Sequence, residues 1–203
     1  MRTERLLLRR WRASDLEPFA AMNADPAVME YFPATLSREQ STAMIEWMES
    51  SFEERGYGLW AVELSGQSPP ALAGFVGLNH VKGELPFAPA VELGWRLAER
   101  FWGQGIACEA AAASIAFAFE RLALGELVAY TAAVNGRSRR LMERLGMTND
   151  PAEDFMHPDL PAESSLAPHV LYRLGAADWK PGGRPPMLDV CAGATPTPPV
   201  QKS

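Results

Sequence analysis

The sequence predicts a single mixed α/β domain, a mostly antiparallel twisted sheet flanked by helices, and three observations lead there. Apolar residues recur at helical intervals in some segments and alternate with polar ones in others. The strand-like segments between Tyr57 and Leu97 are separated by short turn stretches, "SGQSPP" and "KGELPFAP", which favour hairpins over long crossovers. A chain of 203 residues, 47% apolar and 22% charged, is long enough for one real core and has the composition of an ordinary soluble globular protein.

Taken in order, Arg5 to Trp11 reads as a first strand. A helix is expected from Ser14, because Ser14 and Glu17 have capping-box spacing and Leu16, Phe19 and Met22 follow at helical intervals. Ser37 and Gln40 repeat that spacing ahead of a second helix burying Ile45, Met48 and Phe52. Tyr57 to Leu64 and Ala71 to Val81 form a hairpin. Ala90 to Leu97 is a further strand, in which Val91, Leu93, Trp95 and Leu97 alternate with Glu92, Gly94 and Arg96. A helix from Gln104 to Glu120, a strand from Glu126 to Val134 and a short helix in "NGRSRRLMERLGM" follow, the last turning Leu141, Met142 and Leu145 inward and stopping at Gly146. His169 to Leu174 is the last strand. The folded domain is placed at residues 1–175; residues 176–203, rich in Pro and Gly with no apolar period, are read as a flexible tail.

Charge and cysteine usage narrow the function classes. A net charge of −6 lacks the basic surplus of a nucleic-acid binder. The two cysteines, Cys108 and Cys191, make neither a disulfide framework nor a zinc site, and His80, His157 and His169 lack the paired spacing of a metal motif, so no metal is assigned. The opening "MRTERLLLRRW" is too short and too broken by arginine for a signal peptide or membrane span, which makes the cytoplasm the expected location, with no membrane partner.

The stretch "LAERFWGQGIACEAAAASIAFAF" carries the functional signal. Two glycines, Gly103 and Gly105, stand between a strand and an alanine-rich helix, where glycine within a helical pattern costs about 1 kcal/mol relative to alanine. Strand, glycine turn and helix together make an anion site when amides at the helix start converge on a phosphate. A Walker A loop requires Gly-Lys-Ser/Thr where this chain has "GQGIACE". A dinucleotide fingerprint requires a glycine at Cys108 and an acidic residue where Val134 and Asn135 stand.

What remains is Arg/Gln-x-x-Gly-x-Gly/Ala, matched by Arg100, Gly103 and Gly105. With it the chain resembles the GNAT superfamily of acyl-CoA-dependent N-acyltransferases, and "NGRSRRLMERLGM" is similar to that family's Asn-x-x-Ser/Ala helix. The opening "RLLLRRWRASDLEPFAAMNADP", the strands "GLWAVEL" and "AGFVGLNHV" and the closing "HVLYRL" resemble the branch holding ribosomal-protein N-terminal acetyltransferases, RimJ/RimL-like. The likeness covers about Thr3 to Leu174.

The resemblance implies a sheet splayed at its centre, with acetyl-CoA as cosubstrate lying in the gap. The amides of Gly103, Gln104, Gly105, Ile106 and Ala107 would hold the pyrophosphate, and main-chain groups of Leu93 and Trp95 the pantetheine arm. Arg100 either touches phosphate or solvates the strand end; Asn135 either reaches the arm or caps the helix; Arg137, Arg139, Arg140 and Arg144 either neutralise phosphates or form a solvated face. Many family members carry a tyrosine seven residues after the Asn as acid for the leaving thiolate, and this chain has Met142 there. A thiol of pKa about 8.5 leaves tolerably without help, and Ser138 is the nearest substitute, or else a cap. Glu92 is the preferred general base, through water, with Glu63 in reserve. Met29, Tyr31 and Phe32 are expected at the acceptor cleft or in ordinary packing, as are His157 and Pro158. Cys108, on an alanine-rich helix, is read as packing.

The reaction implied is direct attack of a primary amine, a peptide N-terminus or a small molecule, on acetyl-CoA within a ternary complex. A homodimer is left open. The alternative from another class is a non-catalytic acyl-CoA-binding module, suggested by Met142.

Overall fold

The computed structural model describes residues 1–66, 70–81 and 83–179. In chain order they form β1 (Leu6–Arg9), α1 (Leu16–Asn23), α2 (Arg38–Arg55), β2 (Leu59–Leu64), β3 (Ala71–Val81), β4 (Ala90–Leu97), α3 (Ile106–Ala116), β5 (Glu126–Ala132), α4 (Gly136–Arg144), β6 (Thr148–Asn149), β7 (Phe155–Met156) and β8 (Pro168–Gly175). A π-helical turn, Phe117–Arg121, extends α3. The sheet runs β1-β2-β3-β4-β5-β8-β6, with β7 also paired to β8. Every pairing is antiparallel except β4 with β5. The fold is that of the mixed sheet and flanking helices read from the sequence.

Local chemistry explains most of the element boundaries. Ser37 caps α2: its hydroxyl accepts from the Gln40 N–H at 3.2 Å while the Gln40 side chain accepts from the Ser37 N–H at 2.7 Å, so two donors at the helix end are satisfied together. Gly146 follows α4 with φ 81°. The start expected at Ser14 is instead a 3-10 turn over Ala13–Asp15 organised by Asp15, whose carboxylate accepts from the Arg12 N–H at 2.8 Å. The capping-box spacing misleads there because Asp15 is required elsewhere. Its two oxygens grip Arg9 in a two-pronged pair at 2.6 and 2.8 Å, and Arg9 Nε reaches Glu63 at 2.8 Å. This largely buried trio ties β1, the entry to α1 and β2 together, and it removes Glu63 from the list of candidate bases.

β6 and β7, each two residues long, carry no periodic signal and exist only through β8. At the end of the described chain, the Ala176 N–H bonds Gly125 C=O at 2.9 Å and the Trp179 ring packs 5.5 Å from Phe119. Most of the segment read as a tail, residues 180–203, lies outside the described residues. The core collects Leu6, Phe19, Met48, Val62, Leu78, Leu93, Ile115 and Leu127 between sheet and helices, all essentially sealed from solvent.

Removing Arg9 leaves Asp15 without a cation and Glu63 with only the longer contact to Arg12 Nη1 at 3.2 Å, so Arg9→Leu is expected to lower stability by about 3 kcal/mol, against about 1 kcal/mol for Ser37→Ala. Chemical denaturation of the two variants beside the parent measures both; equal losses would contradict the role given to the trio.

Candidate active site

The site begins where the sheet opens. β3 and β4 stay in register over eight residue pairs, from Gly74 with Leu97 to Val81 with Ala90, whereas β4 and β5 are paired only at Glu92 with Val128. Beyond that point the two strands part. The Ala98 N–H bonds Ala73 C=O at 2.9 Å, so by the alternation of an antiparallel ladder the even-numbered residues of β4 turn their backbone groups to β3. Trp95 and Leu97 turn theirs into the gap, and Leu97 C=O indeed accepts from the Trp102 indole N–H at 2.8 Å. Leu93 sits beside the single pair, at the hinge of the parting.

A cavity of about 1180 Å³ fills this gap. One end is the glycine turn. Gly103 and Gly105 have φ of 70° and 75°, left-handed values that a residue with a side chain reaches only with strain. The first helical bond of α3 runs from the Glu109 N–H to Gly105 C=O at 3.0 Å, which leaves Ile106 and Ala107 among the helix-start amides with no carbonyl one turn back. Gly103, Gly105, Ile106 and Ala107 line the cavity. So do Arg137, Arg140 and Arg144, which recur at helical intervals on α4, Arg137 being ion-paired with Glu30. The Arg137 guanidinium lies 4.2 Å from the Trp102 ring centroid. Positive charge, helix dipole and unpaired amides meet in one place, the physical requirement for a diphosphate. Arg139 faces away, donating to Ala133 C=O at 3.2 Å.

Arg100 and Gln104 stand outside the cavity wall. Arg100 is exposed and packs over Phe101, 4.7 Å from its centroid, and Gln104 folds back to donate to Arg100 C=O at 2.7 Å. Asn135 lines the wall and caps α4: its Oδ1 accepts from the Ser138 N–H at 3.1 Å, while Nδ2 donates to Thr131 Oγ1 at 3.0 Å and to Ser138 Oγ at 3.1 Å. Its amide is engaged within the protein and holds Ser138 in place. The Ser138 hydroxyl proton has no acceptor among the described residues. Met142 is buried, fills the wall with a thioether and supplies no acid.

Glu92 occupies the point where β4 and β5 meet. Burial raises its carboxyl above the ordinary carboxylate value, partly offset by the Asn79 side-chain amide, which donates to Oε2 at 3.1 Å. Across the gap, Tyr130 of β5 also lines the cavity; burial, then the negative charge of Glu92 and of Asp159, pushes its hydroxyl upward, so it stays protonated and a donor. His157 and His169 pack beside it, their rings tilted by 52° with centroids 4.8 Å apart, and burial lowers His169 despite its contact with Ala167 C=O.

The cavity also reaches the turn between α1 and α2. Tyr31 and Phe32 line it. Met29 does not: it is 4% exposed and belongs to the core, because the turn between α1 and α2 rotates it inward while Val28 takes a place in the wall. Cys108 is buried on α3. Sequence reading passes over one residue entirely. Arg96, 8% exposed, reaches from β4 into this side, its Nη1 donating to Asn23 Oδ1 at 2.8 Å. The only hint was an arginine in the middle of a sheet strand, and polar residues alternating on a strand usually signify a solvated face.

Among the described residues no helix is long and apolar enough to cross a membrane, and no three His, Cys, Asp or Glu side chains cluster as a metal site would require. The family described as Acetyltransferase (GNAT) domain matches residues 5–148. The uncharacterized protein YkkB of Bacillus subtilis is 30% identical over 148 residues, 71% of this chain and 83% of that one. The FsC-acetyl coenzyme A-N(2)-transacetylase of Aspergillus fumigatus is 28% identical over 178 residues, 82% of this chain and 72% of the relative. The crystal structure of an acetyltransferase from Agrobacterium tumefaciens superposes with a TM-score of 0.68 at 30% identity, covering 86% of this chain and 92% of that chain.

A raised carboxyl destabilises the fold once ionised. The unfolded chain releases the Glu92 proton at the ordinary value near 4.5 and the folded chain only at higher pH, so stability is lost as pH climbs through that window. Glu92→Gln is expected to remove this loss, its advantage in thermal melting growing from acid towards neutral pH. Parallel curves for variant and parent would show that Glu92 carries no such shift.

Proposed function

Because this chain belongs to the GNAT acetyltransferase family, we propose that it moves the acetyl group of acetyl-CoA to a primary amine by direct attack in a ternary complex. The observation that carries this reading is the parting of β4 from β5, which links the phosphate-suited helix start to Glu92 through one continuous cavity. A relative named as an acetyl coenzyme A N(2)-transacetylase supports the choice of donor. When bound, acetyl-CoA supplies a thioester whose carbonyl carbon the amine nitrogen attacks, with the C–S bond breaking to give an N-acetyl product and free thiol.

The chain's own residues divide the remaining tasks. Amides of Gly103, Gly105, Ile106 and Ala107 and the α4 arginines bind the phosphates, while the gap-facing backbone of Trp95, beside Leu93, aligns the arm as a neighbouring strand would. An N–H of the same strand edge polarises the thioester carbonyl. Glu92, directly or through water, takes the proton that the amine sheds. An α-amine, with pKa near 8, needs little of this help, whereas a lysine side chain near 10.4 needs far more. Ser138, oriented by Asn135, returns a proton to the leaving sulfur. A lowered barrier follows mainly from holding amine and thioester together, and the thioester is already activated, so no covalent enzyme intermediate is invoked. The likeness to the ribosomal-protein branch supports an α-amine; small-molecule amines fit the same chemistry.

Met142 in place of an acid favours one competing reading, an acyl-CoA-binding module without turnover. Calorimetry with CoA, followed by thiol release from acetyl-CoA over a panel of peptides, amino acids and amines, separates the two. The enzyme reading expects both binding and release; tight binding with no release under any acceptor would favour the module. Replacing Gly103 and Gly105 by Val is expected to weaken CoA at least about tenfold, near 1.4 kcal/mol, and Ser138→Ala to lower kcat about tenfold with KM little changed. CoA binding indifferent to both glycines would remove the basis of the proposal.

A further inference from the structure

Arg96 is a cation without a counter-ion. Among the described residues no carboxylate lies within salt-bridge distance of it, although the sheet's other buried arginine, Arg9, holds two. Its polar contacts are Asn23 Oδ1 at 2.8 Å and the Met44 sulfur at 3.9 Å, both to Nη1. Nε is buried with no partner, and Nη2 has no acceptor among the described residues. Burial lowers the guanidinium to about 10, still charged at neutral pH. Phe32 covers its face at 4.1 Å from the ring centroid and Phe75 stands at 5.5 Å, which leaves only its in-plane N–H groups for polar partners. Nε and Nη2 make the edge by which a guanidinium pairs with a carboxylate, and no group among the described residues uses it; Nε is itself sealed from solvent, which leaves Nη2 as the prong a ligand reaches first.

The guanidinium is also held in a fixed position. Asn23, wholly buried, receives the Arg96 bond on Oδ1 and donates through Nδ2 to Ser41 Oγ at 3.1 Å; Ser41 in turn donates to Ser37 C=O at 2.9 Å. A chain of side chains from α1 and α2 thus fixes the guanidinium. The cavity reaches it. Glu92, Gly94 and Arg96 project from the same face of β4, two residues apart, and the Glu92 carboxylate leans over Gly94, with its Oε1 3.6 Å from where a Cβ on that glycine would stand. The carboxylate and the guanidinium therefore stand on either side of Gly94, over which the Leu59 side chain also leans, its Cδ2 3.6 Å from the same Cβ position. The diphosphate end of the cavity belongs to α3 and α4, whereas Arg96 is held by α1, α2 and the turn between them, the acceptor side.

From this juxtaposition we propose that the acceptor is a small amine that also carries a carboxylate, its amine lying towards Glu92 and its carboxylate received by Arg96. The inference rests on the acetyltransferase reading above and specifies its substrate class. A zwitterion supplies the anion that the buried cation lacks; a polyamine brings further positive charge to the same place and is disfavoured.

The test compares acid and amide forms of one amine series: glycine, glycylglycine, γ-aminobutyrate and 6-aminohexanoate, each against its carboxamide, with spermidine added, by thiol release from acetyl-CoA. The best acid is expected to exceed its amide at least about tenfold in kcat/KM, mostly through KM, and Arg96→Met to reduce that ratio below about threefold while the CoA Kd stays within twofold. Equal use of acid and amide by the parent, or spermidine as the best acceptor, overturns the proposal. So does an acid preference that survives in Arg96→Met. Should that variant not fold, the acid–amide ratio of the parent decides alone. Should CoA bind with no amine turned over, the same pairs titrated by calorimetry into the CoA-bound parent and variant decide, an Arg96-dependent acid preference supporting the inference and equal affinities refuting it. Failure of CoA to bind would instead remove the acetyltransferase reading, and titration of the same pairs into the CoA-free protein would still settle what Arg96 receives.

Discussion

The parting of two parallel strands governs everything else in this molecule. β4 and β5 touch at Glu92 and Val128 and then diverge, so each presents backbone groups to a gap instead of to a neighbour. Such groups are obligatory hydrogen-bonding partners, and an interior sheet that leaves them unpaired is incomplete unless water or a strand-like ligand completes it. A flexible amide-containing arm has the required donors and acceptors at the required spacing. The core tolerates the opening because α3 and α4 close over it and because the flanking ladders, β3 with β4 and β5 with β8, are long and regular.

Charge is distributed along that gap by function and not by count. The chain is acidic overall, yet Arg140, Arg144, the Glu30-paired Arg137 and the start of α3 all border the cavity. Local fields within a cleft are set by the nearest groups and dipoles in a low-dielectric wall, so net charge predicts little about such a site. On the opposite face of β4, Glu92 and Arg96 are both partly or wholly withdrawn from water without being paired to each other. Structural charges in this protein are treated differently, as the Arg9, Asp15 and Glu63 trio shows. The contrast separates buried charges that are paired from buried charges that are not.

The hydroxyl arrangement around α4 shows how one residue serves structure and chemistry at once. Asn135 caps the helix, satisfies a free amide and, through the same side chain, fixes the Ser138 oxygen as an acceptor, which directs the serine's own proton outward. The motif spacing of Asn and Ser is thus a capping requirement with a chemical consequence. Met142 completes the hydrophobic seat of the helix.

The sequence by itself determined the fold class, the extents of β3 and β4, the Ser37 cap and the left-handed Gly146 after α4. Each depends on local chemistry: side-chain period, capping geometry and backbone sterics act over a few residues and are written in adjacent letters. Tertiary structure alone decided that Met29 belongs to the core while Phe32 faces the cleft, that Asp15 rather than Ser14 organises the entry to α1, and that β6 and β7 are strands at all. It also decided that Arg96 is buried. No window of sequence distinguishes an arginine on a solvated strand from one roofed by Phe32 and anchored by Asn23, because those neighbours lie 64 and 73 residues away and meet it only when the helices close over the sheet.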